Sequence, residues 1–212
     1  SPATIALQKK LQKMGAKKGA ECVMPLSVYI HPKYIKRKKG APYVRVRHEG
    51  DRVQFTVKTD QAAEFVKEYE VTVSKSDGDP VEEMDLLLQA LGFPVKYRVE
   101  KLRGIWDYKT KSGGMAEIVF DTYPGLPTYI EIEAHTKKVL DEATKELGFD
   151  SKNNDRGYYS TVYGMPTNRK IEPGAALTFA GNPKKQFEGL FKQNEPMFNK
   201  LVKNQRAYIA TL

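Results

Sequence analysis

Cysteine is nearly missing from this chain: Cys22 stands alone among 212 residues, which excludes an internal disulfide framework and a multi-cysteine zinc site. A solitary cysteine of this kind reads as a small, partly buried side chain. Histidine is almost as scarce. His31, His48 and His135 are scattered without zinc-ligand spacing, and none is taken as a metal ligand. No run of about 18 apolar residues occurs, which excludes a membrane-spanning helix. The start, Ser1-Pro2-Ala3-Thr4, carries no signal-peptide pattern. The expectation is a cytoplasmic protein with no membrane partner. An aromatic-rich RNA-binding motif is also nearly absent: Tyr158, Tyr159 and Tyr163 either stack on bases or, more simply, form a tyrosine-rich loop packed on the domain. No internal repeat is evident.

What the chain has is charge. Thirty-five basic against 26 acidic residues give a net +9 and a pI near 9.4. That balance suits an anionic partner such as a nucleotide, a polyphosphate, a nucleic acid or a membrane surface, and equally a soluble basic protein with no such partner. The length suits one large domain, or one domain with a helical appendage, and allows a substantial core.

The charges fall in a pattern. Successive strand side chains point to opposite faces, so residues two apart share a face. In Tyr43-Val44-Arg45-Val46-Arg47 both arginines align, and in Phe55-Thr56-Val57-Lys58 the lysine stands opposite Phe55 and Val57. Glu68-Tyr69-Glu70 presents two carboxylates, Lys101 and Arg103 align in Val99 to Arg103, Glu117 and Asp121 align, and Glu131-Ile132-Glu133 ends the series. An antiparallel sheet with one wet face would show the same alternation, with ordinary cross-strand ion pairs. A shared charged interior is the other reading: cations suit phosphate oxygens, and carboxylates suit a divalent ion.

The element order supports an α+β chain. A short helix is expected over 2–14, capped by Thr4 and ended by Gly15, then a strand at Leu26–Ile30 and a basic loop at 33–39 that is either a solvated turn or a lip attracting a polyanion. Strands follow at 43–48, 52–59 and 65–74, the first two joined through Glu49-Gly50-Asp51. Asp79-Pro80 opens a helix to Ala90. Strands at 95–108, 115–121 and 128–133 precede a helix from His135 to Leu147, closed by Gly148. Residues 150–184 are irregular, with a strand expected at 176–180, and Lys185–Gln205 has helical spacing interrupted by Pro196.

This succession of motifs resembles the CYTH superfamily of triphosphate tunnel enzymes over about residues 5–165. The resemblance rests on Val44-Arg45-Val46-Arg47, Phe55-Thr56-Val57-Lys58, Glu68-Tyr69-Glu70, Leu91-Gly92-Phe93, Val99 to Arg103, Asp121 and Glu131-Ile132-Glu133, in that order. It implies a closed antiparallel barrel of about eight strands with helices packed outside, residues 1–165 forming the tunnel domain and 166–212 a partly helical extension. It implies hydrolysis of inorganic triphosphate, a nucleoside triphosphate, thiamine triphosphate or an RNA 5′-triphosphate end with Mg²⁺ or Mn²⁺. Alternatives are cyclisation of ATP by the same fold, or non-catalytic binding of a polyanion or nucleic acid. By position, Arg45, Arg47, Lys58, Lys101 and Arg103 would hold phosphate, and Glu131 and Glu133, helped by Glu70 or Glu68, would hold the metal. Asp121 would contact the metal or orient a basic neighbour, and Lys58, Arg103 and Glu133 would act at the reacting centre. Two departures from the family pattern stand out. The Glu-x-Glu-x-Lys of its first strand has no counterpart ahead of the first helix: either the native protein has residues that this sequence omits, or another segment such as Ala176–Ala180 fills that place, or catalysis has been lost. Ser27 stands where an acid usually precedes the aromatic, here Tyr29.

Overall fold

The computed structural model describes residues 2–34, 42–49, 52–59, 67–74, 80–150, 162, 176–180 and 195–212. Helix α1 (Pro2–Lys13) leads into strand β1 (Lys17–Ile30), a short 3-10 turn (Pro32–Tyr34), and strands β2 (Tyr43–Glu49), β3 (Arg52–Thr59) and β4 (Lys67–Ser74). Helix α2 (Pro80–Ala90) precedes β5 (Val95–Lys109), β6 (Met115–Thr122) and β7 (Tyr129–Ala134). Helix α3 (Lys137–Leu147), the two-residue β8 (Ala176–Leu177) and helix α4 (Glu195–Ile209) complete the order among the described residues. The class is α+β; among the described residues eight strands form one sheet, seven of them bonded in the order β4-β3-β2-β1-β5-β6-β7. The registers of β1 with β2, β2 with β3, β3 with β4, β5 with β6 and β6 with β7 are antiparallel, and β8 joins β5 in parallel at Arg98 and Val99. Among the described residues no helix is long and apolar enough to cross a membrane.

Two compact units divide the chain. One comprises Ser1–Cys22, Leu102–Thr167 and Phe191–Leu212, the other Val23–Lys101 and Asn168–Leu190. In the first, the alternation of β5 and β6 sends Trp106, Tyr108, Ala116, Ile118 and Phe120 to one face, where they pack with Leu7 and Leu11 of α1 and Ala143 and Leu147 of α3. Leu11 and Ile118 are wholly buried, so truncation of either to alanine costs about 2–5 kcal/mol. Thr136 caps α3 by accepting from the Val139 amide, and Gly148, at φ 83°, closes it in the left-handed region where a side chain is strained. Lys10 Nζ donates to Leu147 O at 2.8 Å, placing a cation at the negative end of α3.

In the second unit, Tyr29, Val44, Val46 and Val53 pack with Leu88 of α2, bordered by Phe55, Val57, Met84 and Phe93. Arg98 Nη2 donates to Asp85 Oδ2 at 2.8 Å, tying α2 to β5. The helix covers its face of the sheet incompletely: an apolar cavity of 530 Å³ lies among Val57, Val71, Val73, Met84, Leu87 and Leu91.

Some boundaries differ from the sequence expectation. β1 begins nine residues before Leu26, at Lys17, because Lys17–Ala20 are exposed and carry no apolar alternation to announce a strand. Thr4 lies within α1, which starts at Pro2, a residue well accepted in a first turn. Pro196 likewise opens α4. Gly50 and Asp51, most of the basic loop (35–39), Tyr158, Tyr159, Tyr163 and residues 185–194 lie outside the described residues.

Candidate functional site

In the second unit the register sets charged and polar residues in three cross-strand rows on the face opposite the apolar core. Arg45 stands beside Thr56 and Glu70, Tyr43 beside Lys58 and Glu68, and Arg47 beside Gln54 and Thr72. Arg45 Nη2 donates to Thr56 Oγ1 at 3.2 Å and to Glu70 Oε1 at 3.4 Å. Thr56 Oγ1 donates to Glu70 Oε1 at 3.1 Å, and Gln54 Nε2 to Glu70 Oε2 at 3.0 Å. Arg47 Nη2 donates to Gln54 Oε1, and Lys58 Nζ pairs with Glu68 Oε1. Glu70 is thus the acceptor at the centre of a chain running from Arg47 through Gln54 to Thr56 and Arg45. Burial makes these contacts consequential: Arg47 and Thr56 are 8% and 0% exposed, and Nε of Arg45 is buried without a hydrogen-bond partner. A cation shielded from water and incompletely paired favours an anionic oxygen. Lys101, on β5, is also buried.

In the first unit Arg103 of β5 faces Asp121 of β6. The guanidinium grips both carboxylate oxygens, Nε to Oδ1 at 2.8 Å and Nη2 to Oδ2 at 2.6 Å. Nη2 also donates to Glu131 Oε2 at 3.0 Å, and Nη1 lies 4.0 Å from Glu133 Oε1. Burial alone works against the charged guanidinium, but Asp121 first, then Glu131 and Glu133, more than offset it and hold Arg103 charged far above the ordinary arginine range. Tyr129 sits opposite Asp121 on β7, and its hydroxyl is held protonated by burial and then by the charges of Tyr123, Glu131 and Asp121.

The sequence-derived residues therefore gather in two groups. Arg45, Arg47, Lys58, Glu68 and Glu70 lie in the second unit, and Arg103, Asp121, Glu131 and Glu133 in the first. Gln54, Thr56 and Tyr129 were missed. Each falls at the right parity, two or four residues from a selected residue, and carries no formal charge to mark it. Arg103, expected at phosphate oxygens, spends Nε and Nη2 on carboxylates of its own chain, and Asp121 is wholly buried with both oxygens bonded to that one arginine. The strand at β8 does form beside β5, but it consists of alanine and leucine and supplies neither carboxylate nor cation.

A family profile described as CYTH domain matches residues 6–159. Among solved structures, a candidate adenylate cyclase from Vibrio parahaemolyticus is 15% identical, with 67% of this chain and 76% of that one covered and a TM-score of 0.50. The PH1012 protein of Pyrococcus horikoshii OT3 is 19% identical over 69% of this chain and 85% of its own, with a TM-score of 0.49. A candidate adenylyl cyclase from Hippeastrum, described as having a dominant triphosphatase activity, is 16% identical over 70% and 84%, at 0.43. Likeness at this identity speaks to the fold alone. No curated protein matches the sequence.

Proposed function

The chain belongs to the CYTH domain family, and on that premise we propose that it hydrolyses a triphosphate-containing small molecule in a metal-dependent reaction, with residues 1–165 as the catalytic domain and 166–212 as an extension. The observation that carries this reading is the placement of Arg45, Arg47 and Lys58 in adjacent cross-strand rows, opposite the apolar core and steered by Gln54, Thr56, Glu68 and Glu70. Phosphoryl transfer needs chiefly positioning and charge neutralisation, and fixed cations supply both.

In this reading Arg45, Arg47, Lys58 and Lys101 hold phosphate oxygens. Arg103 keeps Nη1 for an oxygen ligand while its other nitrogens orient Asp121 and Glu131. Of the two roles open to Asp121, orientation of a basic neighbour is the one its geometry favours. Glu131 and Glu133 fit a hard divalent cation such as Mg²⁺ or Mn²⁺: both are carboxylates, 41% and 53% exposed, at alternate positions of β7. No set of three acidic, histidine or cysteine side chains surrounds one point among the described residues. A divalent ion there would be held by these two carboxylates, whose hard oxygens match it. Such an ion supplies charge neutralisation at the phosphate oxygens. Glu133, the more exposed acid, orients a water whose oxygen forms the new bond to the terminal phosphorus as the bridging P–O bond breaks. The leaving oxygens are received by the basic residues, and the water's proton passes to the carboxylate.

The test is release of phosphate from inorganic triphosphate and from ATP with Mg²⁺ and with Mn²⁺, comparing the protein with Glu131→Gln/Glu133→Gln. Turnover that is lost in the variant supports the hydrolase. Pyrophosphate and cyclic AMP from ATP would point instead to a cyclase. Absence of turnover, with salt-dependent binding of RNA or DNA, would make the chain a polyanion binder.

A further inference from the structure

The turn between β6 and β7 is held from a distant part of the chain. Gln205, in the last two turns of α4, is buried, and its side-chain amide makes three bonds to the backbone of this turn. Its Oε1 accepts from Gly125 N at 2.8 Å, and its Nε2 donates to Tyr123 O at 3.1 Å and to Leu126 O at 2.8 Å. A side-chain amide has two donors and an acceptor oxygen, so one residue here replaces the water that a surface turn would otherwise bind. Phe198 of the same helix lies over Gly125 so closely that a Cβ there would come 2.0 Å from its ring. The neck of the turn is fixed as well: the Thr122 and Thr128 hydroxyls bond at 2.7 Å, and the Tyr123 and Tyr129 rings stack 6.0 Å apart.

The two ends of this turn lead directly to the carboxylates bound by Arg103. Asp121 precedes Thr122, and Glu131 lies two residues beyond Tyr129. Because β6 and β7 are paired through Asp121 and Tyr129, a shift of the turn displaces both carboxylates against one guanidinium. Bidentate pairing tolerates such displacement poorly. Helix α4 lies beyond residue 159, where the family match ends.

We propose that α4 acts through Gln205 as a positioning element, locking the turn at residues 123–128 and thereby setting the Asp121–Arg103–Glu131 geometry. The functional weight of that cluster rests on the reading given above, whereas the mechanical coupling does not. Gln205 is a positioning residue, since its three bonds go to the backbone of the turn rather than to the charged side chains.

The experiment follows the Arg103 Nε–Hε proton by NMR in the full chain, assigned through its disappearance in Arg103→Lys. Gln205→Leu removes the three bonds at nearly constant volume. Val202→Ala, on the same helix and also buried, serves as the control that loosens α4 without touching those bonds. Expected is exchange of the Arg103 proton faster by about tenfold in Gln205→Leu, as two or three lost hydrogen bonds raise local opening, and little change in Val202→Ala at a comparable fall in melting temperature. Unchanged exchange in Gln205→Leu, or equal acceleration in both variants, overturns the proposal. Should Gln205→Leu fail to fold, Gln205→Asn, which keeps the amide but is one methylene shorter, is read the same way. Triphosphate turnover is measured in parallel: its absence from the parent protein would overturn the hydrolase reading while leaving the NMR result to decide the coupling.

Discussion

Arg103 and Asp121 oppose each other at one register position of β5 and β6 and share two hydrogen bonds, 2.8 and 2.6 Å long, with 5% and 0% of their surfaces exposed. A buried pair of this kind is costly to break from one side, because the desolvated guanidinium then loses the carboxylate that holds two of its nitrogens and keeps only the more exposed Glu131 and Glu133. Asp121→Ala is expected to destabilise the protein by about 3–5 kcal/mol, whereas the apolar double variant Arg103→Met/Asp121→Leu recovers most of that loss. Urea unfolding of the three proteins checks this, and a double variant no better than the single one would contradict it. The pH dependence follows from the sign. A base whose folded pKa is raised contributes stability that is fully present below its unfolded value, so the Arg103 contribution stays constant from about pH 6 to about pH 9.

Gly125 is expected to be the least replaceable residue of the β6–β7 turn. Its φ of 75° lies in the left-handed region, and a Cβ would meet Phe198 Cε2 at 2.0 Å. Backbone strain and overpacking together predict a loss of about 2–4 kcal/mol for Gly125→Ala. Trimming the obstructing ring in Gly125→Ala/Phe198→Ala should cost less than the sum of the two single changes. Thermal unfolding of all three variants measures that coupling, and strict additivity would show that the ring is not the obstacle.

Tyr208 donates to Glu21 Oε1 at 2.7 Å, and burial, followed by this bond and the charge of Glu21, pushes its hydroxyl up to about 12. The protonated phenol is the form the fold favours. Its contribution is therefore complete below the ordinary tyrosine value of about 10 and lost as pH rises through about 12. Tyr208→Phe should lower stability modestly near neutrality, where the bond to Glu21 is fully present, and flatten the alkaline decline in that window. Ultraviolet titration of the phenolates, alongside denaturant unfolding at each pH, gives both halves of the comparison.

Much of this arrangement was legible in the chain because strand parity is strict. Arg45 with Arg47 and Glu131 with Glu133 fall on common faces wherever the strand begins or ends, and the alternation in β6 separates Ile118 and Phe120 from Val119 and Asp121. Parity says nothing about which partner a side chain takes. Parity therefore sends Arg103 toward phosphate, whereas its nearest acceptors are Asp121 and Glu131, a cross-strand relationship set by register and invisible one strand at a time. Gln54 and Thr56 were passed over for lack of charge, yet they connect both arginines to Glu70. The attachment of Gln205 to a turn some eighty positions earlier has no local signature at all. The first half of β1 escaped notice for a different reason: it is a strand with its side chains exposed, so the hydrophobic alternation that marks other strands is missing.

Thr56 gives the sharpest separation between support and chemistry in the second unit. It is wholly buried between Arg45 and Glu70, accepting from one at 3.2 Å and donating to the other at 3.1 Å. Thr56→Val keeps shape and β-branching but removes both bonds, leaving a buried guanidinium with one acceptor fewer, at a cost of about 1–3 kcal/mol. If the arginines bind phosphate, the variant should raise KM for inorganic triphosphate by about tenfold while kcat changes less, since a loosened Arg45 weakens substrate binding before it affects the reacting bond. A purely structural network predicts the opposite pattern, a lower melting temperature with KM unaltered. Steady-state phosphate release on the parent and Thr56→Val, with unfolding measured on the same samples, separates the two. Restoring only the hydroxyl in Thr56→Ser should return KM most of the way to the parent value, because it is the oxygen between Arg45 and Glu70, rather than the methyl group, that fixes the cation.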